Sequence, residues 1–211
     1  MKIIKFGHCC MLVEVNGLRI ITDPGSYSTG QNDVKDIDVV LITHDHIDHL
    51  HVESLKNLIK NNPKVRVFTN QGTASALEKE GITFEVLGHG ENITMESVLI
   101  EGLGEFHAEM YKTIPLSPNT GYFIADKLFY PGDAFTIPGK PVEVLAVPVA
   151  GPWMKLSEGI EYAIAVKPKK CFPVHDGILK SVGSTDRIPG QILLPLGIEF
   201  TPLELGKEYE F

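Results

Sequence analysis

Between Thr43 and His49 the chain reads Thr-His-Asp-His-Ile-Asp-His, three histidines and two aspartates within seven residues, directly after the apolar run Val39 to Ile42. Two imidazoles two positions apart, then a carboxylate and a third imidazole, supply the nitrogen and oxygen donors that suit a borderline divalent ion such as zinc. A polar helix start capped by Asp would also collect such residues, but chance assembly of this donor set is improbable. The donors outnumber what one ion with an open position takes. The stretch therefore reads as the shared first half of a two-metal centre, to be completed from later in the chain.

Three later residues offer themselves, each where a strand is expected to run out. His107 follows Gly104-Glu105-Phe106, Asp133 follows Tyr130-Pro131-Gly132, and His175 ends Cys171-Phe172-Pro173-Val174. Strand ends suit ligands because the sheet fixes their backbone while the loops leave the metal open. The spacing favours His44, His46 and His107 on one ion, Asp48, His49 and His175 on the other, and Asp133 as the bridge. A shared water or hydroxide then has room between the ions.

The flanking pattern predicts an α/β fold. Apolar runs at Ile3 to Phe6, Met11 to Val15 and Leu18 to Thr22 read as strands, the last two joined through Asn16-Gly17, a pair that tolerates the positive φ of a tight hairpin turn. Val39 to Ile42 is a short buried strand. The spacing of Leu55, Leu58 and Ile59 predicts a helix from about His49 to Lys60, ended by Pro63. Val65 to Thr69 and Ile82 to Leu87 read as strands, with a helix over Thr73 to Lys79 between them. From Asn92 to Tyr130 hairpins are expected, including Tyr122 to Ala125 with Leu128 to Tyr130. A strand over Val142 to Val149, a helix over Ser157 to Val166 with Ser157 as its N-cap, and a strand over Cys171 to Val174 follow. Sheet and helix in both halves suggest two sheets face to face with helices outside, as one domain over residues 1–211.

Composition narrows the function. A net charge of -8 argues against nucleic acid as the main partner, which calls for clustered Lys and Arg. No apolar run reaches the roughly 18 to 20 uncharged residues of a membrane span, and the start Met1-Lys2-Ile3-Ile4-Lys5 does not read as a signal peptide. Three cysteines, two of them adjacent, do not suggest a disulfide framework, so a reducing cytoplasm is the default.

The His44-x-His46-x-Asp48-His49 pattern, followed by His107, by Asp133 in a Gly-Asp pair and by His175, resembles the metallo-β-lactamase superfamily. The opening Gly7-His8-Cys9-Cys10-Met11-Leu12-Val13-Glu14 and the Thr22-Asp23-Pro24 segment look like its branch of small metal-dependent hydrolases, ascorbate-6-phosphate lactonases and N-acyl-phosphatidylethanolamine phospholipases D. The resemblance implies a four-layer αββα sandwich with the site at one edge of the sheets, and two divalent metal ions, usually zinc, with manganese or iron in relatives. It implies that Asp23 steadies the metal-binding loop. Cys171 does not align with the cysteine ligand of the antibiotic-cleaving members, which argues against β-lactam hydrolysis.

The expected chemistry is hydrolysis of an ester, lactone, thioester or phosphodiester bond in a small molecule by a hydroxide held between the ions, with Asp48 accepting the proton of the water and orienting it. A phosphodiesterase or nuclease on the same ions is one alternative, and a non-catalytic metal-binding protein another. His8, Asn119 and Trp153 are candidates for contact with substrate, with proton transfer or a structural hydrogen bond the alternatives for His8, whereas Asp45, His51 and His89 are not expected among the ligands.

Overall fold

The structure, a computed structural model, describes all of residues 1–211. β1 (Lys2–Gly7), β2 (Cys10–Val15) and β3 (Leu18–Thr22) form an antiparallel meander, and Asn16 and Gly17 both take the positive φ that their turn requires. β4 (Val39–Ile42) adds in parallel to β3; α1 (Val52–Asn61) leads to parallel β5 (Arg66–Thr69), and α2 (Gln71–Lys79) to β6 (Glu85–Val86). The second sheet repeats the scheme. β7 (Asn92–Met95), β8 (Val98–Leu103), β9 (Gly121–Ile124) and β10 (Leu128–Tyr130) are antiparallel in turn, and β11 (Val144–Pro148), β12 (Lys170–Val174) and β13 (Glu199–Phe200) continue in parallel. α3 (Leu156–Val166) connects β11 to β12, and α4 (Gly183–Leu193) with a single 3-10 turn connects β12 to β13. β14 (Glu208–Glu210) returns to pair with β1, so each sheet has seven strands.

The layering follows from the two-residue period of a strand applied to continuous apolar runs. In β4, Val39 and Leu41 enter the core between the sheets, while Val40 and Ile42 face outward and pack with Leu55 and Leu58 of α1 and Leu77 of α2. β11 does the same, with Val144 and Ala146 inward and Leu145 and Val147 against Ile160 and Ala163 of α3. Each apolar side chain so buried contributes about 1.5–3 kcal/mol, and both faces of each strand collect it. The result is an αββα sandwich.

Several boundaries differ from the sequence expectation. α1 starts at Val52, not His49, because His51, its N-cap, has extended backbone (φ -102°, ψ 109°) with its N–H on Pro24 O at 3.1 Å. The strand expected over Ile82 to Leu87 shrinks to Glu85–Val86, an exposed edge with little to bury. Ser157 is not the N-cap of α3. The helix begins at Leu156, and the Lys155 N–H is taken by Glu158 Oε2 at 2.6 Å. Residues 176–211, given no elements by the sequence patterns, hold α4, which contains Pro189, and two short edge strands.

Candidate metal centre

The C-terminal ends of β1, β3 and β4 in one sheet and of β10 and β12 in the other meet at one rim of the sandwich, and they deliver His8, Asp23, His44, Asp133 and His175 respectively. His8, Asp23 and His175 all have positive φ, at 51°, 33° and 60°. Such backbone also serves turns, as at Asn16, but three strained residues at one rim are what functional sites collect, where the surroundings compensate the strain.

Two donor groups form at this rim. His44, His46, His107 and Asp133 offer ligand atoms within 4.8 Å of one another, and so do His8, Asp48, His49 and His175. Asp133 reaches across both: its Oδ2 lies 3.3 Å from His107 Nε2 and 2.8 Å from His175 Nε2, and its Oδ1 lies 3.1 Å from His49 Nε2. All seven residues expected as ligands are therefore brought together, and His8, not expected among the ligands, lies within the second group. Asp45 is exposed, His51 pairs with Ser54 at 2.9 Å, and His89 accepts from Gly104 N at 3.1 Å, so none of these three joins the cluster.

The hydrogen bonds around the rings set their tautomers. His107 Nδ1–H donates to Ala108 O at 2.6 Å. Thr43 has one hydroxyl proton and gives it to Asp23 Oδ2 at 2.7 Å, so its oxygen accepts from His44 Nδ1–H at 3.0 Å. His49 Nδ1–H donates to Asp23 Oδ2 at 2.7 Å. In the neutral form of each ring the Nε2 lone pair faces the centre, as a metal ligand requires.

The donor set fits divalent cations on a further observation. His49 Nε2, His107 Nε2, Asp133 Oδ1 and both ring nitrogens of His175 are buried without a hydrogen-bond partner. An orphaned buried polar atom costs about 1–3 kcal/mol, and the three Nε2 atoms and Asp133 Oδ1, which lie together, call for a common partner. Charge points the same way. Burial lowers the pKa of the His44 and His46 imidazoles and so disfavours their charged forms. Burial also opposes charge on His49, yet the Asp133 and Asp23 carboxylates outweigh it and raise its pKa well above the ordinary value. Burial likewise works against ionisation of Asp48, but the His8 hydrogen bond and the His49 charge hold its carboxyl down at about 2. The centre is thus negative and draws positive charge to itself.

Supporting residues are legible only in three dimensions. Asp23 is fully buried and accepts from Thr43 N at 2.7 Å, from the Thr43 hydroxyl, from His49 and from the Tyr130 hydroxyl. Tyr130 and Thr43 escaped the sequence reading: a tyrosine in an apolar strand and a threonine before a motif carry no signal of this kind. Asn119, expected to touch substrate, is fully buried; its Oδ1 accepts from Asp133 N at 3.1 Å and its Nδ2 donates to Pro131 O at 2.9 Å. It braces the Asp133 turn and has no polar atom to spare. Trp153 does wall the centre, with its ring 5.5 Å from that of His107 and its Nε1–H on Asp133 Oδ2 at 3.1 Å. Cys9 also lies near His49 and Asp133, but burial pushes its thiol well above the ordinary range, which makes it core packing.

The family model described as "Beta-lactamase superfamily domain" matches residues 2–175, a span that contains every residue of this cluster. The chain belongs to the metallo-β-lactamase superfamily. Within this superfamily it is similar to the protein Rv0786c of Mycobacterium tuberculosis, 35% identical over 184 residues and covering 85% of each chain. It is also similar to a metal-dependent hydrolase of Flavobacterium johnsoniae, 27% identical over 133 residues, 60% of this chain and 57% of the other. Among solved structures, a metal-dependent hydrolase from Parabacteroides distasonis superposes with a TM-score of 0.78 at 24% identity, over 96% of this chain and 92% of that one. This last likeness is one of fold. The metallo-β-lactamase family membership makes this chain one of a family of metal-dependent hydrolases.

Proposed function

We propose that this chain hydrolyses an ester-like bond of a small molecule, an ester, lactone or thioester in preference to a phosphodiester, with two divalent cations, zinc first, held by the two donor groups. The observation that carries this reading is the pair of adjoining groups joined through Asp133, with His49 Nε2, His107 Nε2, His175 Nε2 and Asp133 Oδ1 close together, buried and without a hydrogen bond. His44, His46 and His107 would hold one cation, Asp48, His49 and His175 the other, and Asp133 both. When bound, such a pair supplies Lewis acidity and water acidified toward neutral pH. Asp48, ionised and 18% exposed, presents a carboxylate oxygen that can accept a hydrogen bond from water and aim it. Trp153 fixes Asp133 and closes one wall against bulk water.

The rim supports a carbonyl substrate. Ile47, between His46 and Asp48, is 65% exposed, and Phe106, next to His107, is 55% exposed. Met110, Tyr111, Ile114 and Leu116 are exposed on the loop that leaves from His107 and returns at Asn119. No lysine or arginine forms an ion pair or hydrogen bond with any of the seven proposed ligands, and Lys112 is the one lysine or arginine of the loop from His107 to Asn119. No helix is long and apolar enough to cross a membrane.

The test is a substrate panel of lactones, thioesters, aryl esters, phosphodiesters and β-lactams, run with zinc and with chelator. Chelator-sensitive turnover concentrated on the carboxylic esters is the expected result. Turnover of phosphodiesters alone would transfer the reading to a phosphodiesterase, and none on any substrate would favour a non-catalytic metal protein.

A further inference from the structure

His8 has the reverse arrangement of the other rings at the centre. The Gly177 N–H donates to His8 Nδ1 at 3.0 Å. A neutral imidazole that accepts at Nδ1 carries its proton on Nε2. That Nε2 lies 3.1 Å from Asp48 Oδ2. His8 therefore has no lone pair to offer, although it sits inside the donor group of Asp48, His49 and His175. We propose that His8 is a positioning residue: its Nε2–H holds Asp48 Oδ2 and so aims the carboxylate at the cation held with His49 and His175. The inference rests on the two-cation reading above.

The surroundings of His8 are built for this contact. The residue is 1% exposed, which removes it from the substrate-contacting role expected from the sequence. Gly177 approaches it so closely that an added Cβ would stand 2.9 Å from His8 Cβ and 3.1 Å from Nδ1. The His8 carbonyl accepts from His175 N at 3.3 Å, and the Tyr27 ring meets the imidazole edge-on at 5.2 Å. Three residues upstream in β1, Lys5 is equally buried and donates to Pro173 O at 2.8 Å and to Asp176 Oδ2 at 2.6 Å. The end of β1 is thus fastened to the chain on both sides of His175, and His8 passes that registration on to Asp48 in the opposite wall. A partner that orients a metal-binding carboxylate in this way typically changes metal affinity by about 10- to 100-fold.

Two measurements test the proposal on the full chain. In the chelated protein, long-range proton–nitrogen correlation spectra should show His8 as the Nε2–H tautomer; the Nδ1–H tautomer would overturn the assignment whether or not two cations bind. Zinc titration against a chromophoric chelator should then give two equivalents for the unaltered chain, which tests the underlying reading separately. His8→Ala should weaken one of the two equivalents by about 10- to 100-fold and leave the other unchanged. His8→Gln, which keeps an N–H for Asp48, should recover most of that loss. Wild-type affinity in His8→Ala would overturn the role, and His8→Gln as weak as His8→Ala would make His8 a ligand instead.

Discussion

His49 donates from Nδ1 to Asp23 Oδ2 at 2.7 Å, and neither side chain exposes any surface. The same carboxylate takes the Thr43 backbone and side chain and the Tyr130 hydroxyl, so four donors from both sheets depend on one negative charge. Asp23→Asn keeps the volume and removes the charge. It is expected to lower zinc affinity by about 10- to 100-fold and to lower the urea midpoint as well. Chelator competition and equilibrium unfolding measure the two effects, and unchanged zinc affinity would refute the role of Asp23.

Gly25 is required by space. A Cβ there would stand 1.7 Å from Asp48 O and 2.7 Å from His49 N, because the turn after Asp23 lies directly on the metal-binding loop, with Ser26 N on Ile47 O at 2.9 Å. Gly25→Ala should displace that loop, reduce zinc stoichiometry and lower Tm. Gly88→Ala is the control, since its Cβ would meet nothing closer than Glu91 Oε2 at 3.6 Å; its stability should stay within about 0.5 kcal/mol of the unaltered chain. Equal effects from the two substitutions would contradict the steric account.

Trp153 is the single tryptophan of the chain and hydrogen-bonds to Asp133. Divalent metal added to chelated protein should therefore shift or quench its emission in step with binding. Cobalt or copper, which quench at short range, should act more strongly than zinc. Emission that ignores saturating cobalt would place the cations away from Asp133.

Cations that bind the folded chain and not the unfolded one stabilise it by mass action, by about 2.7 kcal/mol at a free concentration one hundred times Kd. Thermal unfolding should show a higher Tm with zinc than with chelator, and the gain should disappear in Asp133→Ala. A Tm indifferent to zinc and chelator would count against both donor groups as cation sites.

The cysteines are fully or almost fully buried, and burial pushes the Cys171 thiol up to about 12 and Cys10 higher still. Since the thiolate is the reactive form, a disulfide probe at pH 8 should label the native chain slowly and denatured chain at once. Rapid native labelling of Cys10 or Cys171 would mean that the helix layers open readily.

Much of the architecture was legible from short-range patterns. Asn16-Gly17 determines its hairpin because few other pairs accept two positive φ angles, and Val39 to Ile42 could be read as a buried strand from its uninterrupted apolarity. Boundaries were less legible. His49 to His51 match a helix start in local propensity, and only the contact of His51 N with Pro24 O ends that option. Residues 176–211 show no clean periodicity, since α4 carries Pro189 and rests on a partner surface that the local pattern does not describe.

By itself, the sequence determined the types of the proposed ligands. Seven donors of the right chemistry at this spacing have few other uses, and chemistry is written in residue identity. Tertiary structure alone decided what each histidine does. His8 and His49 are the same residue type and both lie near Asp48, yet Asp23 at Nδ1 turns the His49 lone pair inward, and Gly177 at Nδ1 puts a proton on the inward nitrogen of His8. A tautomer is set by a partner across the fold, 26 residues away in one case and 169 in the other, and no local pattern records it.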